Sequence, residues 1–219
     1  MLDETFRPLE RRFNETGAEE DFLALERQAI RQGRVSDLAE IYAAYARDCN
    51  PVLLRETDRD FFSDVIAYVR GFGATPEIRG SVLWNAQEGR RMEYNDIDVA
   101  VFGGHTAKLN LLGGLLMGGE NQNEIVADLS SPMLARLIRD HHCHIRYIDG
   151  LTSEMHLVDG NLMGVSFSLP SYVGEIIDHR LHIIRDQPPC TIDLNIVAVE
   201  RQLPHYMRWV EDLGVGYPG

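Results

Sequence analysis

The sequence predicts an α+β fold, with helices first, a strand-rich middle and a helical segment at the end. Three observations predict it. Apolar residues in the first third recur at helical spacing. Beyond Pro76 the apolar period shortens to that of strands. Asp159-Gly160-Asn161, set between two apolar runs, is the turn signal of a β-hairpin.

The elements follow in chain order. Phe22, Leu25 and Ala29 share one helical face, and Leu38, Ile41, Tyr42 and Tyr45 share another behind Ser36 as a cap. Cys49-Asn50-Pro51 ends that second helix, because the proline ring pushes Asn50 out of the α region. A third helix is marked by Thr57 as N-cap, Asp60 three residues on, and the stripe Phe61, Phe62, Val65, Ile66, Val69 up to Gly71-Phe72-Gly73. Glu77-Ile78-Arg79-Gly80-Ser81 reads as a short strand, Asn85 to Asn95 as a polar stretch, and Asp96 to Phe102 as an apolar-rich strand. Gly103 to Asn123 is open to two readings, a helix broken at Gly113-Gly114 or a flap. Ser131-Pro132 opens a helix carrying Met133, Leu134, Leu137 and Ile138. Cys143 to Ile148 alternates as a strand, and Met155 to Val158 with Leu162 to Leu169 form the hairpin. Val173, Ile176, Ile177, Leu181 and Ile184 suit a helix, and Pro204 starts the last one, with Met207, Trp209 and Val210 turned inward.

Composition narrows the function classes. At 219 residues and 44% hydrophobic content the chain can bury its own core without disulfides. Its formal charge of −13 argues against a diffuse field that gathers nucleic acid, so extended duplex DNA is not an expected partner. Cys49, Cys143 and Cys190 are widely spaced without a CxxC pair, as in a reduced compartment. The start Met1-Leu2-Asp3-Glu4 is acidic where a signal peptide is basic, and no run of roughly eighteen apolar residues is present. The expected location is cytoplasmic, with no membrane partner.

The chemistry concentrates at two places. Residues two apart on a strand face the same way, so Asp96 and Asp98 project together. Their repulsion is relieved by a cation between them, and hard divalent ions take oxygen ligands together with substrate phosphates. Upstream, Gly80 permits close backbone approach to a ligand, and Ser81 offers a hydroxyl and an amide to a phosphate oxygen at the start of a short helix. Arg79-Gly80-Ser81, followed by Asn95-Asp96-Ile97-Asp98-Val99-Ala100-Val101-Phe102 and preceded by the helix Thr57 to Val69, resembles the DNA polymerase beta-like nucleotidyltransferase superfamily.

The resemblance covers residues 57 to 170. It implies a mixed β-sheet flanked by helices, with 1–56 as a helical N-terminal extension and 171–219 as a C-terminal helical segment packed on the core. It further implies that Asp96 and Asp98 are catalytic and bind Mg²⁺ or Mn²⁺, and that Gly80 and Ser81 bind the nucleotide. The fifteen positions from Ser81 to Asp96 are long for the family, so part of Asn85 to Glu93 is expected to be a surface insertion. Catalytic members usually have a third carboxylate on a later strand. The segment that best fits that strand is Gly164 to Leu169, with Ser166 at the position of the acid; Asp149, Asp159 and Asp193 are the other sources.

The activity implied is transfer of a nucleoside monophosphate from a nucleoside triphosphate to an acceptor hydroxyl, releasing pyrophosphate. A small molecule, a protein or a nucleic-acid end is the expected acceptor. The alternative is a catalytically inactive binding or regulatory module of the same fold. Asp140-His141-His142-Cys143-His144, with His179 and His182, also raises a zinc-dependent hydrolase, although adjacent ligands at a helix-to-strand junction diverge. Arg79, Arg90 and Arg91 bracket the site and, with Lys108, can neutralise phosphate; Trp84 and Tyr94 can stack on a base or sit in the core. The glycine-rich stretch lacks the order of a P-loop.

Overall fold

The first third of the chain folds as its apolar spacing requires. A computed structural model describes residues 6–120, 137, 140–141, 146–147, 157–158, 161–162, 164–171, 174–177, 180–183 and 190–197. Helices α1 (Phe6–Thr16) and α2 (Glu19–Arg31) pack together, and α3 (Ala39–Asp48) follows. Phe22, Leu25 and Ala29 are buried, and the Phe22 ring meets Tyr45 edge-on at 4.7 Å. Ser36 does not cap α3. It lies in a 3₁₀ turn, Val35–Leu38, that buries Leu38 before the helix begins. At the far end Cys49 takes a left-handed conformation and Asn50 is extended, as the following proline demands.

Helix α4 (Glu56–Gly71) opens just before the expected cap, with Arg55 in the cap position. Thr57 instead turns its hydroxyl to Asp58 Oδ1 at 3.1 Å. The predicted stripe from Phe61 to Val69 is buried. Strand β1 (Thr75–Arg79), helix α5 (Gly80–Gln87) and strand β2 (Ile97–Phe102) come next. The glycine-rich stretch then forms α6 (His105–Glu120), continuous through Gly113-Gly114. A Cβ on Gly114 would stand 2.8 Å from Tyr68 Oη and 3.0 Å from Phe72 Cζ, so glycine is what lets α6 lie this close to α4.

The remaining elements are strands: β3 (Arg146–Tyr147), β4 (Leu157–Val158), β5 (Asn161–Leu162), β6 (Gly164–Pro170), β7 (Gly174–Ile177), β8 (Arg180–Ile183) and β9 (Thr191–Val197). The hairpin signal is met at its turn, since Val158 pairs with Asn161 across antiparallel β4 and β5, but Gly164 to Leu169 of the expected second arm belong to β6, which pairs with β9 and β3 instead. The helix expected from Val173 to Ile184 is not what forms: β7 and β8 are an antiparallel pair in which Ile177 faces Arg180. Ile176 and Ile177 fit a helical face by spacing, but β-branched side chains suit the pleated surface equally, so local pattern leaves both structures open and the pairing of β7 with β8 selects the strand. The helix from Ser131-Pro132, of which only Leu137 is described, and the helix from Pro204 lie outside the described residues. So do Asp149 and Asp159.

The main sheet is mixed and five-stranded, in the order β1-β2-β9-β6-β3. Pro76 is tolerated because β1 is an edge strand. β9, drawn from beyond residue 170 in a segment expected to be helical, is the central strand and runs parallel to β2. Register and alternation give the sheet two unlike faces. Ile78, Val99, Leu194 and Phe167 lie across from one another on the face that joins the helices in a single core. Arg79, Asp98, Asp193 and Ser168 line up in the same way on the other. Among the described residues no helix is long and apolar enough to cross a membrane.

Candidate active site

At the end of β1 the chain must turn sharply into α5. Arg79 is extended, and Gly80 follows with φ of +66°. A Cβ at Gly80 would stand 1.9 Å from Asp98 Oδ2, so the carboxylate occupies the space a side chain would fill. Gly80→Ala therefore combines left-handed strain with a clash. Unfolding free energy is expected to fall by about 3 kcal/mol, measured by urea denaturation; an unchanged midpoint would show that Asp98 moves aside freely.

No side chain caps the N-terminus of α5. The Ser81 hydroxyl is buried there without a hydrogen-bond partner. Buried hydroxyls are usually bonded, and among the described residues the chain supplies no partner to this one. It is the observation that fits Gly80 and Ser81 to a phosphate group.

Asp98 is 8% exposed. Burial chiefly, and then the charges of Asp96 and Asp193, push its carboxyl up to about 7. Asp96 lies just before β2, and Asp193 is the register partner of Asp98 on β9. A third acid thus stands beside the pair, one strand nearer than β6, where Ser166 was the candidate. The serines of β6 serve as hydrogen-bond donors instead: Ser168 donates to Asp193 Oδ1, and Ser166 to Asn195 Oδ1. The signal for β9 was present in Thr191-Ile192-Asp193-Leu194-Asn195-Ile196, whose even positions are buried in alternation.

A cleft of about 680 Å³ opens in front of Asp96 and Asp98, with Arg55, Ser81, Trp84 and Met92 also in its lining; Asp193 lies outside that lining. The polar stretch expected as a surface insertion forms one wall. Arg91 is turned inward, its Nε 2.6 Å from Glu26 Oε1 and its Nη1 2.8 Å from the Val52 carbonyl. Tyr42 donates to the same Glu26 at 2.8 Å. Tyr94 donates to Asp58 Oδ2 at 2.7 Å and accepts the Arg55 amide at 2.9 Å. Between these two anchors Met92 holds φ of +74°.

The basic residues divide accordingly. Arg91 is structural, Arg79 is paired with Glu77, and the exposed Arg90 is paired with Glu88 and Glu93. Lys108 lies on α6 outside the cleft lining. Like Arg90, Arg55 lines the cleft, although no sequence spacing singled it out. Its guanidinium lies 4.2 Å from the centre of the Tyr94 ring and its Nε is 2.8 Å from Asp58 Oδ2. Tyr94 is thereby spent on holding the wall, whereas Trp84 faces the cleft from α5.

Cys49 and Cys190 are free thiols, each pushed up to about 12, chiefly by burial, which leaves them protonated and unreactive. Of the histidine cluster, His141 Nε2 lies 2.8 Å from Asp64 Oδ2 and its ring stands 5.3 Å from that of Phe61. His142, Cys143, His144 and His179 are outside the described residues. Among the described residues no group of three His, Cys, Asp or Glu side chains is set to hold a metal ion as oriented. In its chemistry, however, the set Asp96, Asp98 and Asp193 fits a hard divalent cation: all donors are carboxylate oxygens, and the charges of Asp96 and Asp193 add to the burial that chiefly raises Asp98.

In comparisons with known proteins, no family model matches the chain, and neither does any curated protein or solved structure.

Proposed function

We propose that this chain is a metal-dependent nucleotidyltransferase, moving a nucleoside monophosphate from a nucleoside triphosphate to an acceptor hydroxyl with release of pyrophosphate. The observation that carries this reading is the register of Asp98 against Asp193, with the Asp98 carboxylate lying on Gly80 at the uncapped start of α5. Asp98 thereby links Asp193, its neighbour on β9, to the start of α5.

The chain's own groups divide the work. The α5 amides and the Ser81 hydroxyl donate to phosphate oxygens, and Gly80 lets the Asp98 carboxylate lie against the start of α5. Arg55, fixed by the Tyr94 ring and Asp58, supplies positive charge to the triphosphate from the other side of the cleft. Asp96, Asp98 and Asp193 would hold Mg²⁺ or Mn²⁺, which when bound neutralises triphosphate charge and lowers the pKa of the attacking hydroxyl. The wall built on Arg91 and Tyr94 keeps these groups in fixed relation. The acidic balance of the chain favours a small molecule, a protein or a nucleic-acid end as acceptor.

Pyrophosphate release is expected when the protein is given Mg²⁺ or Mn²⁺, a nucleoside triphosphate and a panel of hydroxyl acceptors, and it is expected to vanish in Asp193→Ala. Absence of release, together with no metal-dependent thermal shift from any of the four triphosphates, would sink the proposal. One observation favours the second reading, a binding or regulatory module: Asp193 is turned to Ser168. Triphosphate binding without turnover is the result that reading expects.

A further inference from the structure

We propose that Trp84 is the stacking platform for the nucleobase, an assignment that rests on the reading of Gly80 and Ser81 as the triphosphate site. Among the described residues the large apolar side chains left exposed are Ile30, Trp84 and Leu109; of these, Trp84 alone lines the cleft. It is 43% exposed.

Its place on α5 gives the geometry. Trp84 follows Ser81 by three positions, so the two are neighbours on one helical face, with Cβ atoms roughly 5–6 Å apart. A phosphate held at the first turn leaves the remainder of a nucleotide to run along that face, where the indole is the first flat surface it meets. Asn85, one position further, also lines the cleft.

The opposite wall is held in an unusual way. Met92 keeps a left-handed backbone, which a long side chain rarely adopts, while Arg91 and Tyr94 are bonded inward on either side of it. Met92 also lines the cleft, and a methionine side chain packs well against aromatic rings. Tyr94 does not compete for the base, because its ring carries the Arg55 guanidinium and its hydroxyl is bonded to Asp58. Stacking on an indole is tolerant of base identity, since every base presents a π-face. The cleft thus gains affinity from a base without choosing among the four.

The test compares binding of the Mg²⁺ complexes of ATP, GTP, CTP and UTP with that of Mg²⁺-tripolyphosphate by titration calorimetry. In the wild type the four nucleotides are expected to bind more tightly than tripolyphosphate and within a few-fold of one another. Trp84→Ala is expected to weaken the nucleotides about tenfold and to leave tripolyphosphate unchanged, while Trp84→Phe retains most of the nucleotide affinity; a melting curve checks that both variants fold. If nucleotides and tripolyphosphate bind the wild type equally, or Trp84→Ala weakens both or neither, the platform is wrong and the phosphate site stands. If neither ligand binds at all, the phosphate site fails and the platform with it.

Discussion

Asp98→Asn is expected to reduce nucleotide transfer by more than about 100-fold, since even outer partners of metal ligands cost 10- to 100-fold on removal, while making the metal-free protein more stable at neutral pH. The two effects have one origin. Asp98 is buried beside two other acids, and its carboxyl is pushed up to about 7 from an ordinary 3.8. A carboxyl whose folded pKa is raised favours folding while protonated. Its contribution is fully present below about pH 4 and is lost as pH rises through about 7. The loss is at most about 4 kcal/mol. Asparagine has nearly the same shape against Gly80 and no charge. Urea denaturation in chelator-treated buffer should therefore give equal stabilities near pH 4 and a growing advantage for the variant up to pH 8. Adding Mg²⁺ should stabilise the wild type and not the variant. A gap between the two proteins that is constant with pH would mean that neither burial nor the neighbouring acids raise the Asp98 carboxyl.

Glu26→Ala is expected to lower unfolding free energy by about 3–5 kcal/mol, the range for removing one partner of a buried ion pair. The side chains of Arg91 and Glu26 are 12% and 4% exposed, and Tyr42 donates to the same carboxylate. Without Glu26 the guanidinium is left inside the protein with only the Val52 carbonyl for company. Pairing Glu26→Met with Arg91→Met should recover most of the lost stability, because an apolar pair of similar volume needs no compensation. The double variant should still bind nucleotide about tenfold more weakly, because the wall carrying Met92 has lost its anchor to α2. Calorimetric titration on the refolded double variant separates the two roles; full nucleotide affinity there would make Arg91 a matter of stability alone.

Helices α2, α3 and α4 were legible because each buries a stripe whose period only a helix satisfies, as in Phe61 to Val69, whereas α1, which buries only Phe6, went unpredicted and α6 was open to a second reading. So was the strand that carries Asp98, an apolar run buried from Ile97 to Val101, although Asp96 lies just before it. Two features were not legible, for different reasons. Val173 to Ile184 contains residues that satisfy both periods, so the choice between helix and hairpin rests on pairing rather than on local pattern. The position of Asp193 depends on which strand inserts beside β2, and nothing within Thr191 to Val197 specifies a neighbour. Arg55 and the inward turn of Arg91 are likewise consequences of distant partners, Tyr94 in one case and Glu26 in the other.

The central place of β9 also bears on how the molecule is made. β1, β2 and their flanking helices are available early in synthesis, but β2 gains its second neighbour only when the chain has passed residue 191, and β6 waits for the same event. Such pairings between remote segments bear the entropy of closing a long loop before any contact repays it, which slows folding. Until then the inner edge of β2 offers unpaired amides and carbonyls to any other extended strand. The acids of the site are thus brought together in the last step of sheet closure, and a chain halted before that step would carry Asp96 and Asp98 on an open edge, prone to associate with its own kind.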